Sequence, residues 1–170
     1  NVFVYISKGL EGKTFDPPAR KAVLDQRGCV YIPHVSGVVV RQTLDILNSD
    51  ETTHNVKLRS KNNGQDNKAM PTKGMVVSKI FKKPEMSVKY VCDVHNWMGA
   101  YVHVMSHPYF AVTQENGTFE IRGVPAGEYE ISPWHEFSKF KPDKTSVAIT
   151  VVDGETAEVA FTYSPPKKKK

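Results

Sequence analysis

The sequence predicts an all-β protein. Short runs of Val, Ile, Tyr, Phe and Thr are separated by Gly, Pro, Asn and Asp along the chain, and almost no segment repeats its apolar residues at helical spacing. Hydrophobic residues make up 39% of the 170 residues, which is enough for a packed core. No apolar run approaches the roughly 20 residues that span a bilayer. A β-sandwich architecture is therefore expected.

The predicted strands are runs rich in β-branched or aromatic residues, and each ends at a turn-forming residue. In chain order they are Val2–Ser7, Cys29–Pro33, Gly37–Leu47, His54–Ser60, Val76–Phe81, Met86–Cys92, Ala100–Ser106, Tyr109–Thr113, Thr118–Arg122, Glu128–Ser132, Ser146–Val152 and Ala157–Tyr163. The polar stretch Lys61–Lys73 is rich in Gly and Asn and is expected to be a mobile loop. Gln114–Gly117 is expected to form a hairpin turn, because its Asn-Gly pair tolerates positive φ.

The net charge of +5 is unevenly distributed. Residues 56–91 carry nine Lys or Arg against two acids, whereas residues 108–166 carry nine acids against four bases. The basic segment lacks the regular aromatic interleaving of a single-strand nucleic-acid groove, so nucleic acid is not an expected partner. A solvated face is the favoured interpretation, and docking to an acidic protein is the second. Residues 165–170, which end in four lysines, are expected to form a disordered basic tail.

Three potential metal ligands recur at every third residue within Tyr90–Met98. They are Cys92, His95 and Met98, at the end of a predicted strand. A strand that rises about 3.3 Å per residue would keep them apart, whereas a tight loop brings a thiolate, an imidazole and a thioether around one point. His54, in a polar loop that enters a strand, is the candidate for a second imidazole. This donor set suits copper in both oxidation states, whereas Met is a poor ligand for zinc.

The segment His54-Asn-Val and the spacing Cys92-x-x-His95-x-x-Met98 resemble those of the cupredoxins. These proteins take their first His from a loop-to-strand junction and their other ligands from one Cys…His…Met loop; the short loop spacing here is amicyanin-like. The resemblance covers roughly residues 1–107. It implies a Greek-key β-sandwich that holds one type 1 (blue) copper through these four ligands, and an electron-transfer protein rather than an enzyme.

The resemblance also implies how electrons would leave the site. His95 would lie at the surface within an apolar patch formed by Val94 and Trp97, and it would act as the electron port to a redox partner. Packing under the loop is the alternative role for Trp97. The backbone N–H of Asn55 would hydrogen-bond to the Cys92 sulfur and tune the reduction potential. The implied partner is a cytochrome or a copper or quinoprotein enzyme, and the basic segment makes an acidic partner one candidate.

The later part of the chain, Tyr109–Tyr163, resembles the carboxypeptidase-regulatory-like, transthyretin-like β-sandwich modules. The residues that carry this resemblance are Ala111-Val-Thr, Asn116-Gly-Thr-Phe-Glu-Ile and Val124-Pro-Ala-Gly-Glu-Tyr. It implies a second small β-sandwich over residues 108–164, which follows the copper domain or merges with it, and strands such as Val2–Ser7 or Ala100–Ser106 could complete it. Such a module implies positioning or partner binding rather than chemistry.

The expected location is the periplasm or another extracytoplasmic compartment. Copper delivery and the β-sandwich companion module both favour this location. The chain starts at Asn1 within a predicted strand rather than at a Met, so a signal segment is expected to have been removed upstream.

Two alternatives remain open from the sequence. A second metal site would make a copper enzyme such as a reductase, and it would draw on the other four histidines, which are His34, His103, His107 and His135.

Cys29 is expected to be a small buried hydrophobe at a strand start, although it could also act as a ligand or redox partner with His34. A Cys29–Cys92 disulfide would remove the copper thiolate and leave a redox-inert, exported structural module.

Overall fold

The computed structural model describes residues 1–137 and 139–164, and the basic tail expected at residues 165–170 lies outside the described residues. The described strands are β1 (Phe3–Lys8), β2 (Ala22–Gln26), β3 (Tyr31–Ile32), β4 (Val35–Val39), β5 (Thr43–Asn48), β6 (His54–Arg59), β7 (Asp66–Met70), β8 (Val76–Ile80), β9 (Glu85–Val91), β10 (Gly99–Met105), β11 (Phe110–Val112), β12 (Gly127–Trp134), β13 (Lys141–Pro142), β14 (Val147–Val151) and β15 (Tyr163–Ser164). The prediction of an all-β fold is confirmed. Within these residues, no helix is long and apolar enough to cross a membrane.

The chain forms two compact units. The inserted unit is Thr14–Pro108, and the flanking unit combines Asn1–Lys13 with the chain from Tyr109 onward. Residues 1–107 are predicted to form the copper domain, with Val2–Ser7 left open as a strand of the second module; in the structure β1 pairs with β11 and β12. The physical reason is burial, because Val4 and Ile6 of β1 belong to the apolar cluster of the flanking unit.

The inserted unit consists of two sheets that share one core. Their strand orders are β4-β10-β9-β6-β7 and β3-β2-β5-β8. Most neighbouring strands are antiparallel, but β2 with β5 and β4 with β10 are parallel. Buried side chains alternate along β5, where Leu44 and Ile46 face inward, as the two-residue period of a strand requires. The core also takes Leu24 from the same sheet and Leu58 and Val88 from the other, so this unit is a β-sandwich.

Two elements of the inserted unit differ from the prediction. The predicted strand Gly37–Leu47 is two strands, β4 and β5, because the chain turns at Arg41, which has a φ of 71° and donates its N–H to the Phe81 carbonyl. The predicted loop Lys61–Lys73 contains β7, which pairs with β6. Met70 is the buried residue of this polar strand, so the sequence carries little of the apolar alternation that identifies strands.

The flanking unit contains a sheet of order β11-β1-β12-β14 and a short β13–β15 ladder. The predicted strands Thr118–Arg122 and Ala157–Tyr163 differ from the structure, where strand pairing in these segments is found only in β15. Phe119 and Phe161 nevertheless pack against the apolar cluster of this unit, which explains their apolar pattern. The turn predicted at Gln114–Gly117 is confirmed, since its glycine has a φ of 85° and donates its N–H to the carbonyl of the first residue (2.9 Å).

Candidate metal centre

The loop between β9 and β10 turns back on itself between Cys92 and Met98. The Met98 N–H donates to the His95 carbonyl (2.9 Å), and the Cys92 N–H donates to the Met98 carbonyl (3.4 Å). The His95 N–H points into the turn and donates to Cys92 Sγ (3.4 Å). Asp93 and Asn96, both turn-forming residue types, lie within the reversal. The loop therefore brings together a thiol and an imidazole that are three residues apart.

Three potential ligand atoms converge beside this loop. His54 Nδ1, at the start of β6, lies 3.0 Å from His95 Nδ1, and Cys92 Sγ lies 4.0 and 3.9 Å from these two nitrogens. Two atoms bound to one ion lie no farther apart than the sum of their bond lengths, which is about 4.2 Å for two nitrogens and about 4.4 Å for nitrogen and sulfur. All three distances satisfy this limit. His54 and Cys92 are buried and His95 is half-buried, so the donor set fits one metal ion at the edge of the core.

Asp50 orients His54. Its Oδ2 lies 2.9 Å from His54 Nε2. An ionised carboxylate can only accept a hydrogen bond, so Nε2 carries the proton and donates it. His54 Nδ1 then has a free lone pair, and it faces His95 and Cys92. Such a carboxylate–histidine pair is a common support of metal-binding imidazoles.

Asp50 also organises the turn at Gly28 and Cys29. Its Oδ1 accepts the Gly28 N–H (2.7 Å) and its Oδ2 accepts the Cys29 N–H (2.9 Å). Burial raises the pKa of this carboxyl, but the hydrogen bonds from Cys29, His54 and Gly28 outweigh burial and lower the pKa to about 2. Asn48 supports the arrangement by accepting the Asp50 N–H on its own Oδ1 (2.9 Å). Asp50 is not among the residues predicted from the sequence, where its only signal is an acid four residues before His54.

The side chain of Asn55 hydrogen-bonds to Cys92 and to the two residues that follow it. Asn55 Oδ1 accepts the N–H groups of Asp93 (2.6 Å) and Val94 (3.3 Å), which fixes the first residues of the ligand loop, and it accepts the Cys92 S–H (3.3 Å). The resemblance implies instead a bond from the Asn55 backbone N–H to the sulfur. In the described structure the N–H that reaches Sγ is that of His95, while the Asn55 backbone lies in the β6–β7 ladder. A Cys92 thiolate would keep the His95 donor and lose the S–H bond.

Met98, the expected axial ligand, is buried in the core of the inserted unit. Its backbone closes the ligand loop through the two hydrogen bonds to Cys92 and His95. The contacts that define the centre are those of His54, Cys92 and His95. Coordination by the Met98 thioether stays a prediction.

Cys29 differs from its expected place. The sequence predicts a buried residue at a strand start, whereas the structure places Cys29 half-buried in a bend before β3, with a φ of 54° that residues other than glycine rarely adopt. Its thiol forms a group with His54 and His95 in which the potential ligand atoms all lie within 4.8 Å of one another. The imidazoles of His54 and His95 therefore have a second thiol near them besides that of Cys92. Both cysteines are free, so the alternative disulfide with Cys92 is not formed.

The four other histidines have different neighbours. His34 hydrogen-bonds through Nδ1 to a backbone carbonyl (2.9 Å), and His107 contacts a Phe ring edge-on. His103 is buried in β10, where burial lowers its pKa to about 3. His135 lies among aromatic rings of the flanking unit. None of the four belongs to the metal-ligand group of the described residues, so the copper-enzyme alternative gains no ligand set from them.

Apolar side chains are exposed next to His95. Val94 is 56% exposed and Trp97 is 67% exposed. The Trp97 ring lies 5.2 Å from the His95 ring, and its indole N–H donates to the Cys29 carbonyl (3.0 Å). Trp97 therefore covers the outer face of the loop rather than packing under it. The use of this surface as an electron port stays a prediction.

Fold and site together define an all-β protein with a candidate Cys/His metal centre in a β-sandwich. It is similar to the Cu(I) form of a methionine-to-alanine mutant of amicyanin, at 23% identity over 50% of this chain and 82% of that chain, with a TM-score of 0.44. A purple cupredoxin from Nitrosopumilus maritimus is 21% identical over 50% of this chain and 100% of that chain, with a TM-score of 0.44. A copper-containing nitrite reductase from Thermus scotoductus SA-01 is 19% identical over 59% of this chain and 25% of that chain, with a TM-score of 0.44. No protein-family model matches the sequence, and no curated protein matches it either.

Proposed function

We propose that this chain is an electron-transfer protein that binds one copper ion through His54, Cys92 and His95, with Met98 as the axial ligand. The observation that carries the proposal is the convergence of one thiol sulfur and two imidazole nitrogens, all within 4.0 Å of one another, at a largely buried site. A soft sulfur with two borderline nitrogens is the donor set of mononuclear blue-copper sites. Bound copper would supply a one-electron couple between Cu(I) and Cu(II).

The protein's part is to hold these donors in place before the metal binds. Asp50 fixes the His54 ring, and Asn55 fixes the start of the ligand loop. The Tyr31 hydroxyl lies within hydrogen-bonding distance of the carbonyls of Asn55 (3.3 Å) and Val91 (3.2 Å), so it ties β3 to the two strands that lead to the ligands. A site whose ligands are already positioned needs little rearrangement when an electron arrives or leaves.

The route for the electron would run through the half-buried imidazole of His95. Val94 and Trp97 give this edge an exposed apolar surface that excludes water when a partner docks. A small contact suits a transient complex, which electron carriers need because they must release their partners.

The proposed partner is a redox protein, such as a cytochrome or a copper or quinoprotein enzyme, in the periplasm or another extracytoplasmic compartment. The excess of Lys and Arg in residues 56–91 favours an acidic partner. Close to the loop the charges are mixed, since Lys57 pairs with Asp93 (3.0 Å). We therefore expect the basic segment to steer the encounter and the apolar edge to make the contact.

The flanking unit is proposed to be the carboxypeptidase-regulatory-like module that the sequence resembles. Its apolar cluster is its own, built around Val4, Ile6, Tyr129 and Ile131. The candidate ligand group of the described residues lies wholly in the inserted unit. We assign the flanking unit a role in positioning the protein or binding a partner.

The test is the visible absorption spectrum after addition of Cu(II), with copper counted per chain. We expect an intense thiolate-to-copper band at one copper per chain. The band should lose much of its intensity in Cys92→Ser and keep its full intensity in the matched histidine control His103→Ala, which removes an imidazole outside the ligand group. A band of full intensity after the loss of Cys92 would refute the assignment of the thiolate. Two coppers per chain would instead support the copper-enzyme alternative.

A further inference from the structure

We propose that Cys29 supplies a second thiolate to the same metal ion, so that the centre has two sulfur anions and two imidazoles. This inference rests on the proposed function, because it concerns the ion that His54, His95 and Cys92 are proposed to hold. It changes the donor set from one thiolate to two.

The distances place Cys29 next to both imidazoles. Its Sγ and the ligand nitrogens of His54 and His95 all lie within 4.8 Å of one another. Nitrogen and sulfur atoms bound to one ion are at most about 4.4 Å apart, so a movement of a few tenths of an ångström brings Cys29 Sγ into range of an ion held by the two imidazoles. A rotation of a half-buried side chain about χ1 is large enough for this movement.

The backbone of Cys29 is held from both sides by residues of the metal centre. Its N–H donates to Asp50 Oδ2 (2.9 Å), the same oxygen that accepts the His54 Nε2–H. Its carbonyl accepts the indole N–H of Trp97, which belongs to the loop that carries His95 (3.0 Å). A single carboxylate therefore fixes both Cys29 and His54, and a single side chain links Cys29 to the ligand loop. This is how a ligand is held when its position relative to the other ligands matters.

A second thiolate has a definite chemical consequence. The Cys29 thiol releases its proton to solvent when it binds the metal, because only the thiolate is a ligand. With Cys92 also ionised, two negative charges lie next to the ion and balance the charge of a divalent metal. Sites with two thiolates and two imidazoles bind several d-block ions, so Co(II) is a suitable probe that does not oxidise the thiols.

The experiment is a Co(II) titration of the full chain, of Cys29→Ser and of Cys92→Ser. The near-ultraviolet thiolate-to-cobalt absorption should fall about twofold in Cys29→Ser relative to the unmodified chain, at the same stoichiometry of one Co(II). Full intensity in Cys29→Ser combined with reduced intensity in Cys92→Ser would overturn the second thiolate and leave the proposed copper centre intact. Intensity unchanged in Cys92→Ser would overturn the proposed centre itself.

A second measurement uses the unmodified chain and therefore does not depend on how well a variant folds. The chain is alkylated with iodoacetamide under native conditions with and without Co(II), then cleaved with trypsin. Cleavage after Arg27 and Arg41 releases Cys29 on a peptide separate from Cys92, so its modification is counted by mass spectrometry. We expect metal binding to slow alkylation of Cys29 at least tenfold. An unchanged rate at saturating Co(II) would overturn the proposal.

Discussion

Replacing Asp50 with Asn should weaken metal binding without removing a ligand. In the native protein the carboxylate accepts the His54 Nε2–H and leaves the Nδ1 lone pair for the metal. The amide of Asp50→Asn can offer an N–H to Nε2 instead. That interaction favours the other tautomer of His54, in which Nδ1 carries the proton and donates it to His95 Nδ1, 3.0 Å away. The metal must then displace this proton before it can bind.

The size of the effect follows from the interaction that is lost. A hydrogen bond between an N–H group and a charged acceptor contributes about 1.5–3 kcal/mol. Since about 1.4 kcal/mol corresponds to a factor of ten, the affinity should fall roughly 10- to 100-fold. This matches the range expected when the carboxylate partner of a metal-bound histidine is removed.

The assay is competition for Cu(I) between the protein and a chromophoric chelator, with circular dichroism as a check on folding. The matched control is Asp45→Asn, because Asp45 lies on β5 and accepts from Ser78 Oγ (2.6 Å) and Lys21 Nζ (2.9 Å) rather than from a ligand residue. We expect the control to retain native affinity. An affinity within twofold of native for folded Asp50→Asn would show that His54 Nδ1 is not the atom that binds the metal.

Three further predictions concern stability and electron exchange. Burial lowers the pKa of His103 from 6.5 to about 3, so the unfolded chain takes up a proton before the folded chain as the pH falls below 6.5. The free energy of unfolding of the metal-free protein should therefore fall by about 2 kcal/mol between about pH 8 and pH 5. Urea titrations of His103→Gln should not show this loss. Gly9 has a φ of 97°, and a Cβ added there would collide with a neighbouring backbone carbonyl, so Gly9→Ala should lower the melting temperature of the protein. The control is Gly12→Ala, because Gly12 has a φ of 73° and open space around it. The destabilisation by Gly9→Ala should exceed that by Gly12→Ala by at least about 1 kcal/mol. Val94→Lys should slow electron self-exchange measured by NMR at least about tenfold without changing the visible spectrum, because like charges would meet in the contact, and the same substitution at Val152, which is 49% exposed in the flanking unit, should leave the rate unchanged.

The residues that the sequence could identify are those whose geometry is local. Cys92 and His95 meet because the chain reverses within the two residues that separate them, and the turn-forming residue types Asp93 and Asn96 indicate that reversal. His54 could be identified by its place in a polar loop that enters a strand.

The positions of Cys29 and Asp50 beside His54 could not be found in this way, because they depend on a parallel strand pair. The pairing of β2 with β5 aligns Gln26 with Asn48, so the segments that follow these two strands leave the sheet at the same end. Periodicity identifies a strand and its buried face, but it does not identify the neighbour of that strand. The same limit explains why the sequence leaves β1 open to either unit, since its apolar alternation is equally compatible with either sheet.

The inserted unit interrupts the flanking unit in the sequence, and this affects folding because the chain is synthesised from its N-terminus. β1 occupies an inner position of its sheet, between β11 and β12, yet those partners are made only after the whole of Thr14–Pro108. At about 5–20 residues per second, the partner strands are made on the order of 10 s after β1, which has no partner in its sheet during that time. During that interval the inserted unit has all its strands and can close, while Phe3, Val4 and Ile6 remain open to chaperones or to a neighbouring nascent chain. Slower translation should therefore lower the yield of soluble protein through the flanking unit and leave the metal centre of the surviving molecules unaffected.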